Sequence, residues 1–144
     1  MSSKSKIFAT MKYEDAHAAM KWLCEALGFE KHLVVDGPDG TVAHAQMRYK
    51  DVMIMLGSTG DQELDKYMKS PGELRGINTQ SAYILVDDID AHYRQAKTFG
   101  AKIILDIKDE EYGGRGYTCQ DPQGVIWNFG TYNPWDSKGE SSSD

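Results

Sequence analysis

The sequence has few cysteines and no long apolar run, and each shortage excludes a class of protein. The two cysteines, Cys24 and Cys119, belong to no CxxC or Cys/His cluster, which favours reduced, buried thiols over a disulfide framework or a zinc site. The longest uncharged apolar run, Val52 to Leu56, is far shorter than the ~20 residues that a membrane-spanning helix needs. The first residues, MSSKSKIF, lack the apolar core of a signal peptide. We therefore expect a cytoplasmic protein with no membrane partner.

Basic residues are also scarce, which argues against nucleic acid as a partner. The chain has 16 Lys and Arg against 22 Asp and Glu, a formal charge of −6, and no basic patch that would attract a polyanion. The glycine-rich stretch YGGRGYTCQ, residues 112–120, does not fit a phosphate loop. Such a loop leads from a strand into a helix, whereas this stretch runs into strand-like residues and a turn.

The same order of strands and helix occurs twice along the chain. Residues 6–57 predict a strand, a helix in EDAHAAMKWLCEALG and three more strands, and residues 80–135 repeat this order. A polar connector, residues 58–79, separates the two modules and has room for one short helix. We expect a flexible N-terminus, residues 1–5, and a disordered tail, residues 136–144.

The two modules also align by position, which indicates an internal duplication. Asp15–Gly28 superposes on Asp87–Gly100 with an offset of 72, and Gly57 matches Gly130 with an offset of 73. A four-stranded sheet with one helix on its back leaves its other face uncovered. We therefore expect the two copies to combine, with their uncovered faces available to another module or to a ligand.

Three segments carry a resemblance to a known family. They are the first helix DAHAAMKWLCEALGFE, the second helix VDDIDAHYRQAKTFGA and the final YGGRGYTCQDPQGVIWNFG, and the resemblance covers residues 6–135. The chain resembles the vicinal oxygen chelate superfamily of glyoxalases, bleomycin-resistance proteins and extradiol dioxygenases, and in particular its PhnB-like branch. The resemblance implies an α+β fold in which two tandem βαβββ modules form a curved mixed sheet around a cleft.

Metal-using members of this superfamily hold their ion with four side chains, one from the first and one from the fourth strand of each module. The alignment places those positions at Phe8, Met55, Ser81 and Asn128. A benzyl ring and a thioether do not hold hard or borderline cations, and a neutral serine hydroxyl is a poor donor. The sequence therefore predicts no metal site and no cofactor. Asn128 either hydrogen-bonds a ligand or satisfies a neighbouring backbone group.

The strand TVAHAQMRY offers further polar candidates. Its alternation puts His44 and Gln46 on one face, which we expect to line the cleft. His44 is then a candidate for hydrogen bonding or acid/base catalysis, unless its strand neighbours satisfy it. His92 falls in the second helix near charged residues, where we expect it at the surface. Strand alternation puts Trp127 under a helix.

The glycine-rich stretch is expected to turn sharply over the mouth of the cleft. This turn would bring Tyr112, Arg115 and Tyr117 toward a bound molecule. Arg115 would then pair with a ligand carboxylate or phosphonate. The alternative is that Arg115 pairs with the nearby acidic run DIKDEE, residues 106–111.

These features give two main functional hypotheses, beside a third possibility of metal-free acid/base chemistry by His44 with Arg115 as the electrophile. The first is a bleomycin-resistance-like homodimer that binds a small organic molecule in a metal-free, apolar cleft. The alternative is a metal-dependent lyase, isomerase or dioxygenase of the same superfamily. The candidate ligand-binding residues are Phe8, His44, Gln46, Met55, Ser81, Tyr112, Arg115, Tyr117 and Asn128.

Overall fold

The computed structural model describes residues 6–60 and 62–136. The predicted flexible N-terminus, and all of the predicted tail except residue 136, lie outside the described residues. The first module contains β1 (Ala9–Tyr13), α1 (Ala16–Leu27), β2 (Glu30–Asp36), β3 (Val42–Tyr49) and β4 (Val52–Ser58). The second contains β5 (Ala82–Leu85), α2 (Ile89–Thr98), β6 (Lys102–Asp109), β7 (Arg115–Gln120) and β8 (Ile126–Gly130).

The connector between β4 and β5 holds two short 3₁₀ turns, Glu63–Lys66 and Pro71–Leu74. The predicted short helix is therefore limited to single turns. Each turn is closed by an acidic side chain, since Asp65 accepts from the Gln62 amide and Glu73 from the Ser70 amide. In the part of the chain that the structure describes, no helix is long and apolar enough to cross a membrane.

Each module forms its own four-stranded sheet, and the two sheets have the same topology. The strand orders are β1-β4-β3-β2 and β5-β8-β7-β6. The first strand of each module is parallel to the fourth, and the other pairs are antiparallel. The parallel pair forms because the helix follows the first strand and covers one face of the sheet. The predicted α+β fold of two βαβββ modules is confirmed.

Both helices begin at an aspartate that caps the first turn. Asp15 accepts from the Ala18 amide at 3.0 Å, and Asp88 accepts from the Ala91 amide at 3.1 Å. Asp15 and Asp88 are 73 positions apart, so the predicted match of Asp15 with Asp87 is wrong. The match of Gly28 with Gly100 keeps the offset of 72, since both glycines follow their helices with a positive φ.

The two modules pack against each other through their helix-covered faces. The rings of Phe29 from the first module and Trp127 from the second lie 5.7 Å apart. The Trp22 indole donates to the Phe99 carbonyl at 2.7 Å, which ties α1 to the end of α2. Trp127 is fully buried on the helix side of its strand, as its position predicted. The buried apolar side chains of both modules form one common core.

His92 lies in this core, so its predicted surface position is wrong. It is 9% exposed, with Nε2 at 3.0 Å from the Leu27 carbonyl and Nδ1 at 2.7 Å from the Tyr117 hydroxyl. A carbonyl only accepts, so Nε2 carries the proton and Nδ1 accepts from Tyr117. Burial lowers the pKa of His92 and favours the neutral ring. Its spacing from Ile89 and Ala96 places it on the buried face of α2.

A buried carboxylate, Asp121, forms a further polar link between the modules. Its Oδ2 accepts from the Tyr13 hydroxyl at 2.6 Å and from the Trp127 indole at 3.1 Å. Its Oδ1 accepts from the amides of Gln123 and Val125, each at 3.0 Å. Burial raises the pKa of Asp121, and these hydrogen bonds oppose the rise. Four donors surround the carboxyl group, an arrangement that suits its ionised form.

Candidate functional site

The face of each sheet opposite the helices, which we call the open face, carries the side chains that alternate with the core. On the first sheet, Met55 lies beside Gln46 of the neighbouring strand. On the second sheet, Asn128 lies between Tyr83 and Thr118. Met55 and Asn128 therefore occupy equivalent positions on the two open faces.

Asn128 is the centre of a hydrogen-bond network on the second sheet. Its Nδ2 donates to Ser81 Oγ at 2.8 Å and to the Ala82 carbonyl at 3.0 Å. Its Oδ1 accepts from Thr118 Oγ1 at 2.7 Å. The backbone contact that the sequence left open as an alternative is present, together with two side-chain contacts. Both amide hydrogens are used, and one lone pair of Oδ1 is left.

The four positions that the resemblance assigns to a metal do not fit one. Phe8 and Met55 take the same places in the first sheet as Ser81 and Asn128 take in the second. Phe8 has no donor atom, Met55 has only a thioether, and the Asn128 carbonyl already accepts from Thr118. Within residues 6–60 and 62–136, no three or more His, Cys, Asp or Glu side chains are grouped so that they could hold a metal ion.

A pocket of about 220 Å³ lies on the open face of the second sheet, and we call it the tyrosine pocket. Its walls include Tyr83, Tyr112 and Tyr132, and its floor includes Asn128 and Thr118. The rings of Tyr112 and Tyr132 meet edge to face with their centroids 4.9 Å apart. The Tyr83 hydroxyl donates to the Tyr132 carbonyl at 2.6 Å. Burial, and to a smaller extent the neighbouring Tyr112, raises the pKa of Tyr83.

Two glycines give the tyrosines the space they occupy. A Cβ atom at Gly130 would lie 2.7 Å from the Tyr83 hydroxyl oxygen, and one at Gly114 would lie 2.6 Å from the Tyr132 backbone nitrogen. Gly114 also has a φ of +76°, in the left-handed region that favours glycine. The glycine-rich loop therefore turns sharply beside the pocket, and Tyr112 lies at the pocket wall.

Arg115 and Tyr117 are both among the residues that line the tyrosine pocket, and the side chain of each has partners within the protein. Along β7 they alternate with residues such as Thr118, which lies on the open face. Arg115 Nε lies 3.1 Å from Asp90 Oδ1 and its Nη1 lies 3.3 Å from Asp109 Oδ1, so the predicted alternative, a pair with the acidic run, is present. The hydrogen bond to Asp90 chiefly raises the pKa of Arg115. Tyr117 is 3% exposed and lies in the core.

The remaining predicted residues lie on or beside the first sheet. His44 and Gln46 contact each other there, with their Nε2 atoms 3.1 Å apart. Phe8 lines a separate cavity of about 380 Å³, together with Met53 and Tyr83. The tyrosine pocket is built by the second sheet, so a single chain does not bring His44 and Gln46 to it.

Sequence reasoning missed most of the residues that line the tyrosine pocket, among them Tyr83, Glu110, Thr118 and Tyr132. One signal was available, because Tyr83 lies two residues after Ser81 and therefore on the same side of its strand. The contribution of Thr118 depends on the register between β7 and β8, which is a property of the folded sheet. Glu110 and Tyr132 reach the pocket from outside the strands, so no strand period predicts them.

Comparison with known proteins places the fold in a family. The profile of the Glyoxalase/Bleomycin resistance protein/Dioxygenase superfamily matches residues 9–129. An uncharacterized protein of Mycobacterium bovis is 28% identical over 117 residues, which are 81% of this chain and 76% of that protein. The crystal structure of TioX from Micromonospora sp. ML1 is similar with a TM-score of 0.68 and 27% identity, covering 88% of this chain and 94% of that one.

The fold is shared more widely than the sequence. The fosfomycin resistance protein FosX from Mesorhizobium loti has a TM-score of 0.60 at 12% identity, covering 94% of this chain and 98% of that one. At that identity the likeness concerns the fold alone. The profile match, by contrast, spans nearly all the strands and both helices of the two modules. The chain therefore belongs to the Glyoxalase/Bleomycin resistance protein/Dioxygenase superfamily.

Proposed function

We propose that the protein binds a small organic molecule in the tyrosine pocket without using a metal ion. The observation that carries this proposal is a pocket of about 220 Å³ with three tyrosines in its walls and a hydrogen-bonded amide in its floor. Small-molecule sites are usually concave, with apolar and aromatic walls and a few polar groups that fix the orientation of the ligand. Asn128 and Thr118 supply such polar groups.

The alternative of a metal-dependent lyase, isomerase or dioxygenase has less support from the side chains. Divalent ions that catalyse such reactions are held by imidazole or carboxylate donors. The residues Phe8, Met55, Ser81 and Asn128 provide neither. His44 lies on the open face of the first sheet, where its neighbour is Gln46. We therefore favour binding over metal-dependent catalysis.

We further propose that two copies pair through their open faces, so that the first sheet of one copy covers the tyrosine pocket of the other. Both open faces expose large apolar side chains, with Leu33 45%, Val35 46% and Leu105 60% exposed. Exposed apolar patches of this kind favour association. This pairing would bring His44 and Gln46 of one copy to the pocket of the other.

We also propose a cytoplasmic location. Cys24 and Cys119 are both free thiols, and neither lies in a disulfide. Free, partly or fully buried thiols suit a reducing compartment. Alkylation of Cys24 in intact cells, without prior reduction, would support this location, and recovery of oxidised protein would contradict it.

Metal analysis and ligand titration of the purified protein test the binding proposal together. We expect substoichiometric metal, and we expect a bound small molecule to shift the amide resonances of Thr118, Asn128 and Gly130. Tyr112→Ala should weaken binding about tenfold by removing an aromatic wall. Tyr67→Ala is the matched control, because Tyr67 is 80% exposed and lies in the connector. Stoichiometric Ni, Zn, Mn or Fe, or ligand shifts confined to other residues, would contradict the proposal.

A further inference from the structure

The floor of the tyrosine pocket has spare capacity to accept hydrogen bonds but none to donate them. Both amide hydrogens of Asn128 are used, one on Ser81 Oγ and one on the Ala82 carbonyl. The Thr118 hydroxyl donates to Asn128, and the Tyr83 hydroxyl donates to the Tyr132 carbonyl. What these three side chains still offer to a ligand is oxygen lone pairs.

The charged side chains around the pocket also favour a ligand that donates hydrogen bonds and carries a positive charge. Glu110 lines the pocket, is partly buried, and makes no side-chain hydrogen bond or ion pair with any described residue. Arg115 also borders the pocket, but its guanidinium is bound by Asp90 and Asp109. Lys108 is exposed and is not among the residues that line the pocket. Asp106 lines the pocket as well, but its carboxylate already accepts from the Tyr93 hydroxyl and the Ile107 amide. The unpaired charge at the pocket is therefore that of Glu110, and it is negative.

The aromatic walls of the pocket also favour a positively charged ligand. The faces of tyrosine rings attract cations through their quadrupoles, most strongly where the cation is partly removed from water. Tyr83, Tyr112 and Tyr132 all border the pocket. The hydroxyls of Tyr112 and Tyr132 can donate as well as accept, so they do not discriminate between ligands.

We propose that the tyrosine pocket selects protonated organic amines, in which an ammonium group is attached to an apolar or aromatic body. This inference rests on the proposed binding function and adds the chemical class of the ligand. The ammonium hydrogens donate to the lone pairs of Asn128, Thr118 and Tyr83, and the positive charge is balanced by Glu110. The apolar body of the ligand packs against the tyrosine rings. A carboxylate in the same place would find no free donor on the floor and would face Glu110.

The test uses three probes of similar shape and different charge: 2-phenylethylammonium, 2-phenylethanol and phenylacetate. Each is titrated into the full-length, isotope-labelled protein at low ionic strength, and amide shifts report both affinity and location. We expect the amine to bind about two- to fivefold more tightly than the alcohol, the effect of one partly exposed ion pair. We expect phenylacetate to bind most weakly. Raising the salt concentration from about 20 mM to about 200 mM should weaken only the amine.

Two matched variants assign the preference to one side chain. Glu110→Gln should remove the advantage of the amine over the alcohol and leave the affinity for the alcohol unchanged. Glu111→Gln removes the same charge from an exposed residue that does not line the pocket, and it should keep the preference. A thermal melt of each variant checks that the fold is retained. The salt dependence of the unmodified protein gives the same information independently of any variant.

The outcomes separate this inference from the proposed function. If the alcohol or the carboxylate shifts Thr118 and Asn128 and binds as tightly as the amine, the amine preference is overturned and the binding site stands. If the amine preference persists in Glu110→Gln, the assignment to this pocket is overturned. If no probe shifts any residue of the second sheet, the amine inference is overturned, and the metal analysis and a wider ligand screen decide the proposed function separately.

Discussion

Replacing Tyr13 with phenylalanine should destabilise the whole chain, although it removes a single oxygen atom. The Tyr13 hydroxyl donates to Asp121 Oδ2 at 2.6 Å, and both residues are buried. Tyr13 belongs to β1 of the first module, whereas Asp121 follows β7 of the second. The Tyr13→Phe variant keeps the ring and its packing, so the change isolates one hydrogen bond between the modules.

The magnitude follows from the charge and burial of the acceptor. A hydrogen bond to a charged group contributes about 1.5–3 kcal/mol, and a buried acceptor that loses a donor cannot replace it with water. Asp121 would keep the donors Trp127, Gln123 and Val125, which limits the loss. We expect the free energy of unfolding to fall by about 2 kcal/mol. For a chain of this size that corresponds to a Tm about 4–8 °C lower.

Chemical denaturation followed by tryptophan fluorescence measures this loss. Tyr93→Phe is the matched control, because the Tyr93 hydroxyl donates to Asp106, which is exposed. We expect the control to change the stability little, since water replaces an exposed hydrogen bond readily. A Tyr13→Phe variant within about 0.5 kcal/mol of the unmodified protein would refute the reasoning. It would mean that Asp121 is solvated or that the two modules are not joined at this point.

Three further predictions concern pH, the pocket and the assembly. The contribution of His92 to the free energy of unfolding should be largest above about pH 6.5 and should fall as the pH drops below it, because the unfolded chain binds a proton that buried His92, with its lowered pKa, does not. Denaturation at a series of pH values, compared with the same series for His92→Gln, isolates this contribution from that of Asp121, whose raised pKa acts in the opposite direction; a difference between the two proteins that does not change with pH would contradict it. Gly130→Ala should displace Tyr83, since the new Cβ would lie 2.7 Å from the Tyr83 hydroxyl oxygen. Titration should then show weaker ligand binding, and an unchanged affinity would exclude this role for the glycine. Leu33→Asp should shift the protein toward monomers in light scattering, whereas Leu64→Asp, at an exposed connector residue outside both open faces, should not.

The sequence was sufficient for the modules and for the faces of their strands, because both depend on short-range periods. Asn128 and Trp127 are adjacent in β8, so alternation alone sends one to the open face and the other to the core. The prediction for Tyr117 rested on the glycine-rich loop and not on alternation. Within β7, Tyr117 shares the buried side of the strand with Cys119, as alternation requires.

The polar groups of the core could not be predicted from local patterns. Asp121 precedes a proline and looks like an ordinary turn residue, yet Tyr13, 108 positions earlier, makes its burial favourable. His92 did carry a signal, since it falls on the helical face shared by Ile89 and Ala96. A histidine on a buried face needs a specific partner, and that partner, Tyr117, comes from another strand.

Each sheet has its stabilising contacts on the helix side and its recognition surface on the open face, and this separation affects how the protein can evolve. The links between the modules that pass through Trp22, His92 and Asp121 lie on the helix side. The open faces contribute little to these links, so substitutions there can alter what is recognised and leave the stability of the chain largely intact. A scaffold divided in this way can diversify its specificity in single steps without first acquiring compensating mutations.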